Sequence, residues 1–158
     1  MTNDYHNPPG STPFSMTYEQ RLAIEDRLVE VFSEVIDLDC ADCDLPLWGD
    51  STSQLMELAW TLSRLHRIID HDTRRPMTMR RIATLLCRNL HRRLPANISS
   101  VVRQRQQSGR PSAIDHFGRL WFLHGQDPKT CILWHKPMRS PWTRKTHNTP
   151  VNTTLRQS

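Results

Sequence analysis

Apolar side chains recur along this chain mostly at spacings of three and four, the period of helices with one buried face. From Thr17 to Ile36 the positions Leu22, Ile24, Leu28, Val29, Phe32 and Ile36 carry that pattern, with Glu25, Asp26, Glu30 and Glu34 between them. Thr17 can cap this acidic amphipathic helix. Residues 37–50, DLDCADCDLPLWGD, read as a loop ending near Gly49. A second helix is predicted over Ser51–Asp70. Ser51, Thr52 and Ser53 are its candidate caps, and Leu55, Met56, Leu58, Ala59, Leu62, Leu65 and Ile69 form a wide apolar stripe. HDTRRP ends it, because the residue before Pro76 is pushed off helical angles.

Thr78 can cap a third helix, MRRIATLLCRNLH, with Met79, Ile82, Ala83, Leu86 and Leu90 as its buried stripe. Arg81, Arg88 and Arg92 lie along another face. A short turn over Arg92–Ala96 leads to Asn97, which can cap a fourth helix, ISSVVRQRQQ, closed by Gly109. There Val101 and Val102 are expected to face the core. Ser112 starts a fifth segment, with Asp115 as its capping-box partner and Ile114, Phe117, Leu120, Trp121 and Leu123 as apolar positions. Gly118 weakens that helix, so a β-hairpin or wing is the competing expectation. Residues 131–135, CILWH, are a candidate short edge strand. The expected fold class is mainly α: a small helical domain over about residues 16–125 with a winged helix-turn-helix, flanked by disordered N- and C-terminal tails. Its parts are a disordered lead (1–15), an acidic helix and loop (16–50), a helix-turn-helix DNA-binding domain (51–125) and a basic tail (126–158).

The length, 158 residues, suits one domain plus tails, and an apolar share of 37% supplies a core for part of the chain. No window approaches ~18 consecutive apolar residues, which predicts no membrane span. Met1–Ser15 lacks a basic cluster followed by an apolar run, so no secretory signal is expected and a cytoplasmic, nucleoid-associated location is.

Charge changes the picture more than composition does. Residues 1–72 hold 14 acids against Arg21, Arg27, Arg64 and Arg67, a net −10; residues 73–158 hold 17 Lys or Arg against Asp115 and Asp127, a net +15. Such asymmetry points to a polyanion partner for the second half, and 14 of its 17 cations are arginine, whose planar fork suits phosphates and guanine edges. Successive helices with a basic third member match the layout that presents a reader helix to the major groove, where all four base pairs are distinguishable. Thr78–His91 is the prop and Asn97–Gln107 the reader. The candidate contacts with double-stranded DNA are Arg80, Arg81, Arg88, Arg92 and Arg93 to phosphates, then Ser99, Ser100, Arg103, Gln104, Arg105 and Gln107, with Arg110 adding non-specific attraction. The rival expectation is a charge-paired protein-interaction module, a homodimer or larger assembly built from the −10 and +15 halves.

Other chemistry is thinly represented. Cys40 and Cys43 form a CxxC, and Cys87 and His91 stand at i, i+4, so the four are candidate zinc ligands. Cys87 also flanks an apolar stripe, and acids beside Cys40 and Cys43 disfavour a reactive thiolate. The expectation is no metal and no cofactor. The chain has no Gly-rich phosphate loop, no GxSxG and no HExxH; His66 and His71 near Asp70 and Asp72 are charged residues of a helix end. An enzyme is not expected.

Leu47-Trp48-x-x-Ser51-x-x-x-Leu55-x-Glu57-Leu58-x-x-x-Leu62, Met79-x-x-Ile82-Ala83, Val101-x-Arg103-x-Arg105 and Arg110-x-Ser112-x-Ile114-Asp115 form a pattern over about residues 45–125. It resembles the C-terminal part of the RteC family, regulators carried on conjugative transposons. The resemblance implies a helix-rich protein with a winged helix-turn-helix that binds DNA upstream of excision genes and activates their transcription. The family has a denser Arg/Lys cluster where this chain has VVRQRQQSGRPS, so Arg103, Arg105 and Arg110 carry the match. The family also has a larger N-terminal domain in place of the single acidic helix.

Overall fold

The computed structural model describes residues 14–39 and 43–135. Its elements are helix α1 (Tyr18–Ile36), strand β1 (Leu47–Trp48), helices α2 (Thr52–Leu65), α3 (Met79–Leu90), α4 (Ile98–Gln107) and α5 (Ala113–His124), a 3-10 turn (Pro128–Cys131) and strand β2 (Ile132–Leu133). The fold is mainly α.

Helix starts follow local chemistry. Thr17 accepts from the Gln20 N–H while the Gln20 side chain accepts from the Thr17 N–H, a closed capping box. Ser51, Thr78, Asn97 and Ser112 likewise accept from backbone three residues on. At Ser112 the reciprocal half of the expected box is replaced: the Asp115 carboxylate faces Arg21 of α1 at 3.5 Å.

The core lies where α1 meets α3 and α5, and where α2 meets α3, α4 and α5. Ile24, Leu28, Val31, Phe32, Val35 and Ile36 of α1 are buried there, so this acidic helix is integral to the domain rather than a removable cover. Phe32 sits at the centre, edge-on to Trp48 at 5.9 Å and tilted against Phe117 at 6.4 Å. Asn89, fully buried on α3, donates to the carbonyls of Val35 (2.8 Å) and Ile36 (3.3 Å) at the end of α1, where Val35 also accepts from the Leu38 N–H (3.2 Å).

Several boundaries differ from the expected ones. The second helix stops at Leu65, not Asp70: His66 turns left-handed and residues 68–77 form a hairpin whose legs bury Ile68 and Met77. Ile69, assigned to the apolar stripe, is consequently exposed. Met79 is half-buried. The α3–α4 connection is seven residues, 91–97, because His91 adopts the left-handed conformation and the Arg92 N–H bonds back to the Cys87 carbonyl. Residues 113–124 are helical, and among the described residues no hairpin wing follows α4. Gly118 is tolerated in α5 because Met16 packs where a Cβ would stand.

The ends are also more structured than composition implied. The guanidinium of Arg119 lies over the half-buried Phe14 ring, 5.7 Å from its centroid, so residues 14 and 15 belong to the domain. After α5, Asp127 binds Arg27 at 2.7 Å and β2 pairs antiparallel with β1 in the register Leu47↔Leu133, Trp48↔Ile132. The expected strand over 131–135 is thus two residues long, and the domain runs to about residue 135. The rest of the two expected tails lies outside the described residues.

Candidate nucleic-acid interface

On α3, Arg80, Thr84 and Arg88 are exposed and spaced four apart, a stripe opposite the buried Ile82, Ala83, Leu86 and Leu90. The Thr84 hydroxyl donates to the Arg80 carbonyl at 2.7 Å. Arg88 makes one neutral contact, from Nε to the Asn89 amide oxygen at 3.3 Å. Arg81, also exposed, leans back toward Asp70 (3.9 Å) and Asp72 (3.7 Å). Arg93 is exposed on the connection.

On α4, Ser99, Arg103 and Gln107 form the outer stripe, beside Gln104, while Ile98 and Val102 are buried against α2. Val101 is half-buried, as is Ser100, whose N–H is taken by the Asn97 cap at 2.9 Å. Arg110 is exposed just past the helix. Among the described residues, no acid stands within ion-pair distance of Arg80, Arg88, Arg93, Arg103 or Arg110.

Two of the expected contacts are committed elsewhere. Arg92 lies beyond the end of α3 and points inward: its guanidinium donates to the carbonyls of Trp48 (3.0 Å) and Asp50 (2.6 Å) and to the Thr52 hydroxyl (3.2 Å). Arg105 is buried, donating from Nε to Glu57 at 2.9 Å and from Nη1 to the Ser53 hydroxyl at 3.2 Å. Arg105 cannot leave Glu57 for a phosphate without stranding a buried carboxylate, and Arg92 would give up three acceptors at once. Glu57 was the available signal: an acid inside the run Leu55–Ala59 is buried, and a buried acid needs a partner.

Three of the candidate metal ligands, Cys43, Cys87 and His91, do not form a metal-holding group. Cys43 is exposed and Cys87 is in the core, where burial pushes its thiol up to about 11 despite Arg92 nearby. The ring Nδ1 of His91 lies 2.7 Å from the Pro46 carbonyl oxygen. Cys40 lies outside the described residues, and among those described no group of three or more His, Cys, Asp or Glu could hold a metal ion. Burial, then the nearby Asp50, pushes the Cys131 thiol to about 11 as well. His71 is exposed, 3.7 Å from Asp37, and His66 is exposed at the end of α2; neither sits in an acid/base constellation.

Three acids of the negative half face cations of the positive half: Glu57 pairs with Arg105, and Asp70 and Asp72 face Arg81. Asp26 and Glu30 pair with Arg67 and Arg27 of their own half, and Arg27 also holds Asp127. Burial raises the Asp127 carboxyl, but hydrogen bonds from the Arg27 guanidinium and the Lys129 N–H outweigh it and hold the group below its ordinary value. Among the described residues no helix is long and apolar enough to cross a membrane. No protein-family model, curated protein or solved structure matches this chain.

Proposed function

We propose that this chain binds double-stranded DNA through the outer stripes of α3 and α4, as a helix-turn-helix transcriptional regulator of the kind its resemblance to the RteC family implies. The observation that carries the reading is that, on α3, on α4 and on the segments that directly follow them, Arg80, Arg88, Arg93, Arg103 and Arg110 are exposed without an acidic partner among the described residues. An arginine paired with its own chain's carboxylate must give up that pair to bind a phosphate; these five have none to give up among the described residues. Helix α4 has ten residues, and an α-helix ~10–12 Å across with its side chains fits a major groove ~12 Å wide. Its Arg103, Gln104 and Gln107 carry the side chains that pair bidentately with guanine and adenine, and Arg80, Arg88 and Arg93 serve the phosphates.

Titration with short duplexes over a range of salt tests this. Affinity should fall by about 0.9 log units per log unit of salt for each phosphate engaged. An absence of duplex binding near about 50 mM salt overturns the reading. The rival, a charge-paired homodimer without nucleic acid, has less support because Glu57, Asp70 and Asp72 of the acidic half already face Arg105 and Arg81 of the basic half in the same chain. Sedimentation at low and high salt without DNA separates the two, since a charge-paired assembly dissociates as salt rises.

A further inference from the structure

The connection between α2 and α3 is a preformed hairpin whose tip presents two arginines. Its legs are anchored by the buried Ile68 and Met77, joined by a bond from the Met77 N–H to the Ile68 carbonyl at 2.7 Å, and Ile69 and Pro76 form an antiparallel bridge. Asp70 organises the turn three times over. Its N–H donates to the Arg75 carbonyl (2.8 Å), its carbonyl accepts from the Arg74 N–H (2.8 Å), and its carboxylate accepts from the Asp72 N–H (2.9 Å). Arg74 sits at φ 64°, in the left-handed region where glycine is the easy choice. The bonds of Asp70 hold it there, as helix-end contacts hold His66 and His91 in the same region.

We propose that this hairpin is a second phosphate-binding element, in which Arg74 and Arg75 grip the sugar-phosphate backbone beside the groove taken by α4. The inference rests on the DNA-binding reading above and extends it to residues outside the helical pair. Both arginines are exposed and have no acidic partner among the described residues. The acids of the hairpin do not neutralise them, because Asp70 and Asp72 are both turned toward Arg81 in the first turn of α3. His71, the remaining titratable group at the tip, faces Asp37 of α1. The same Arg81 contacts tie the hairpin to the first turn of α3, the turn that also carries Arg80. The ligand class is phosphate: each tip arginine offers a fixed positive charge and a forked pair of donors that matches phosphate oxygens.

The test compares the full-length chain with R74G/R75A, in which glycine keeps the left-handed turn while both charges go, and with R74K/R75K, which keeps them. Anisotropy titrations with a random-sequence duplex should show the salt slope of R74G/R75A smaller than wild type by about 1.8, roughly 0.9 per lost phosphate contact, with the lysine variant near wild type. An unchanged slope and affinity in R74G/R75A, with its melting temperature intact, overturns the inference while leaving the DNA reading standing. No duplex binding by the wild type overturns both. Wild-type binding to polyglutamate but not duplex, lost in R74G/R75A, would make the hairpin a protein-docking element instead.

Discussion

The carboxylate of Glu57 on α2 meets the guanidinium of Arg105 on α4 at 2.9 Å, with 3% and 8% of their side chains exposed. This pair fixes how α4 lies on the body of the domain, and with it the direction of Ser99, Arg103 and Gln107. Breaking a buried pair leaves one uncompensated charge, so Glu57→Ala should lose about 3–5 kcal/mol of stability in urea denaturation. Replacing both partners together, as Glu57→Leu with Arg105→Met, should recover most of that loss. A cost below about 1 kcal/mol for Glu57→Ala would mean that the pair is screened like a surface pair.

Arg92 should behave as a structural staple. Its three acceptors hold the segment from Trp48 to Thr52 against the end of α3. Arg92→Ala should cost about 1.5–3 kcal/mol, the range for hydrogen bonds to a charged group, and leave the salt slope of duplex binding unchanged. Arg92→Lys should rescue little, since an ammonium cannot reproduce the fork. A slope lowered by about one in Arg92→Ala would instead make Arg92 a phosphate contact.

Asn89 joins α3 to the last turn of α1 through two carbonyls. Asn89→Leu keeps the branching but removes both donors, which strands the Ile36 carbonyl and leaves Val35 with only the Leu38 N–H. The expected loss is about 1–3 kcal/mol. For a domain of this size that is a fall in melting temperature of roughly 2–4 °C per kcal/mol, readable by circular dichroism.

His116 makes stability fall on the acid side. Burial lowers its pKa, with Asp50 opposing and Arg105 reinforcing, and its Nε2 is buried without a hydrogen-bond partner among the described residues. The folded imidazole therefore resists a proton that the unfolded one accepts near 6.5, and the unfolded state binds more protons below that value. Stability should be full above about pH 6.5 and decline as pH falls from there toward the depressed folded value. His116→Phe should flatten that part of the pH profile; an unchanged profile would show that another group controls it.

Local signals were legible from residue order alone. The caps at Thr17, Ser51, Thr78, Asn97 and Ser112 and the stripe Ile82, Ala83, Leu86, Leu90 depend on neighbours within one or two turns, and those neighbours are printed in the chain. The five helices followed from that periodicity. Where helices stop was less legible: His66 and His91 turn left-handed without being glycine, because tertiary contacts and returning backbone bonds hold them there.

The destination of each charge was decided only in three dimensions. Arg103 and Arg105 stand two residues apart on one short helix, yet one faces solvent and the other is sealed against Glu57, 48 positions earlier. Arg92 and Arg93 are adjacent, yet one staples a loop and the other is exposed. Helical period can say that such residues differ in direction; which direction meets a carboxylate depends on how distant segments pack. A side chain's partner is a long-range property, and burial strengthens the consequence because an unpaired charge away from water is far costlier than one at the surface.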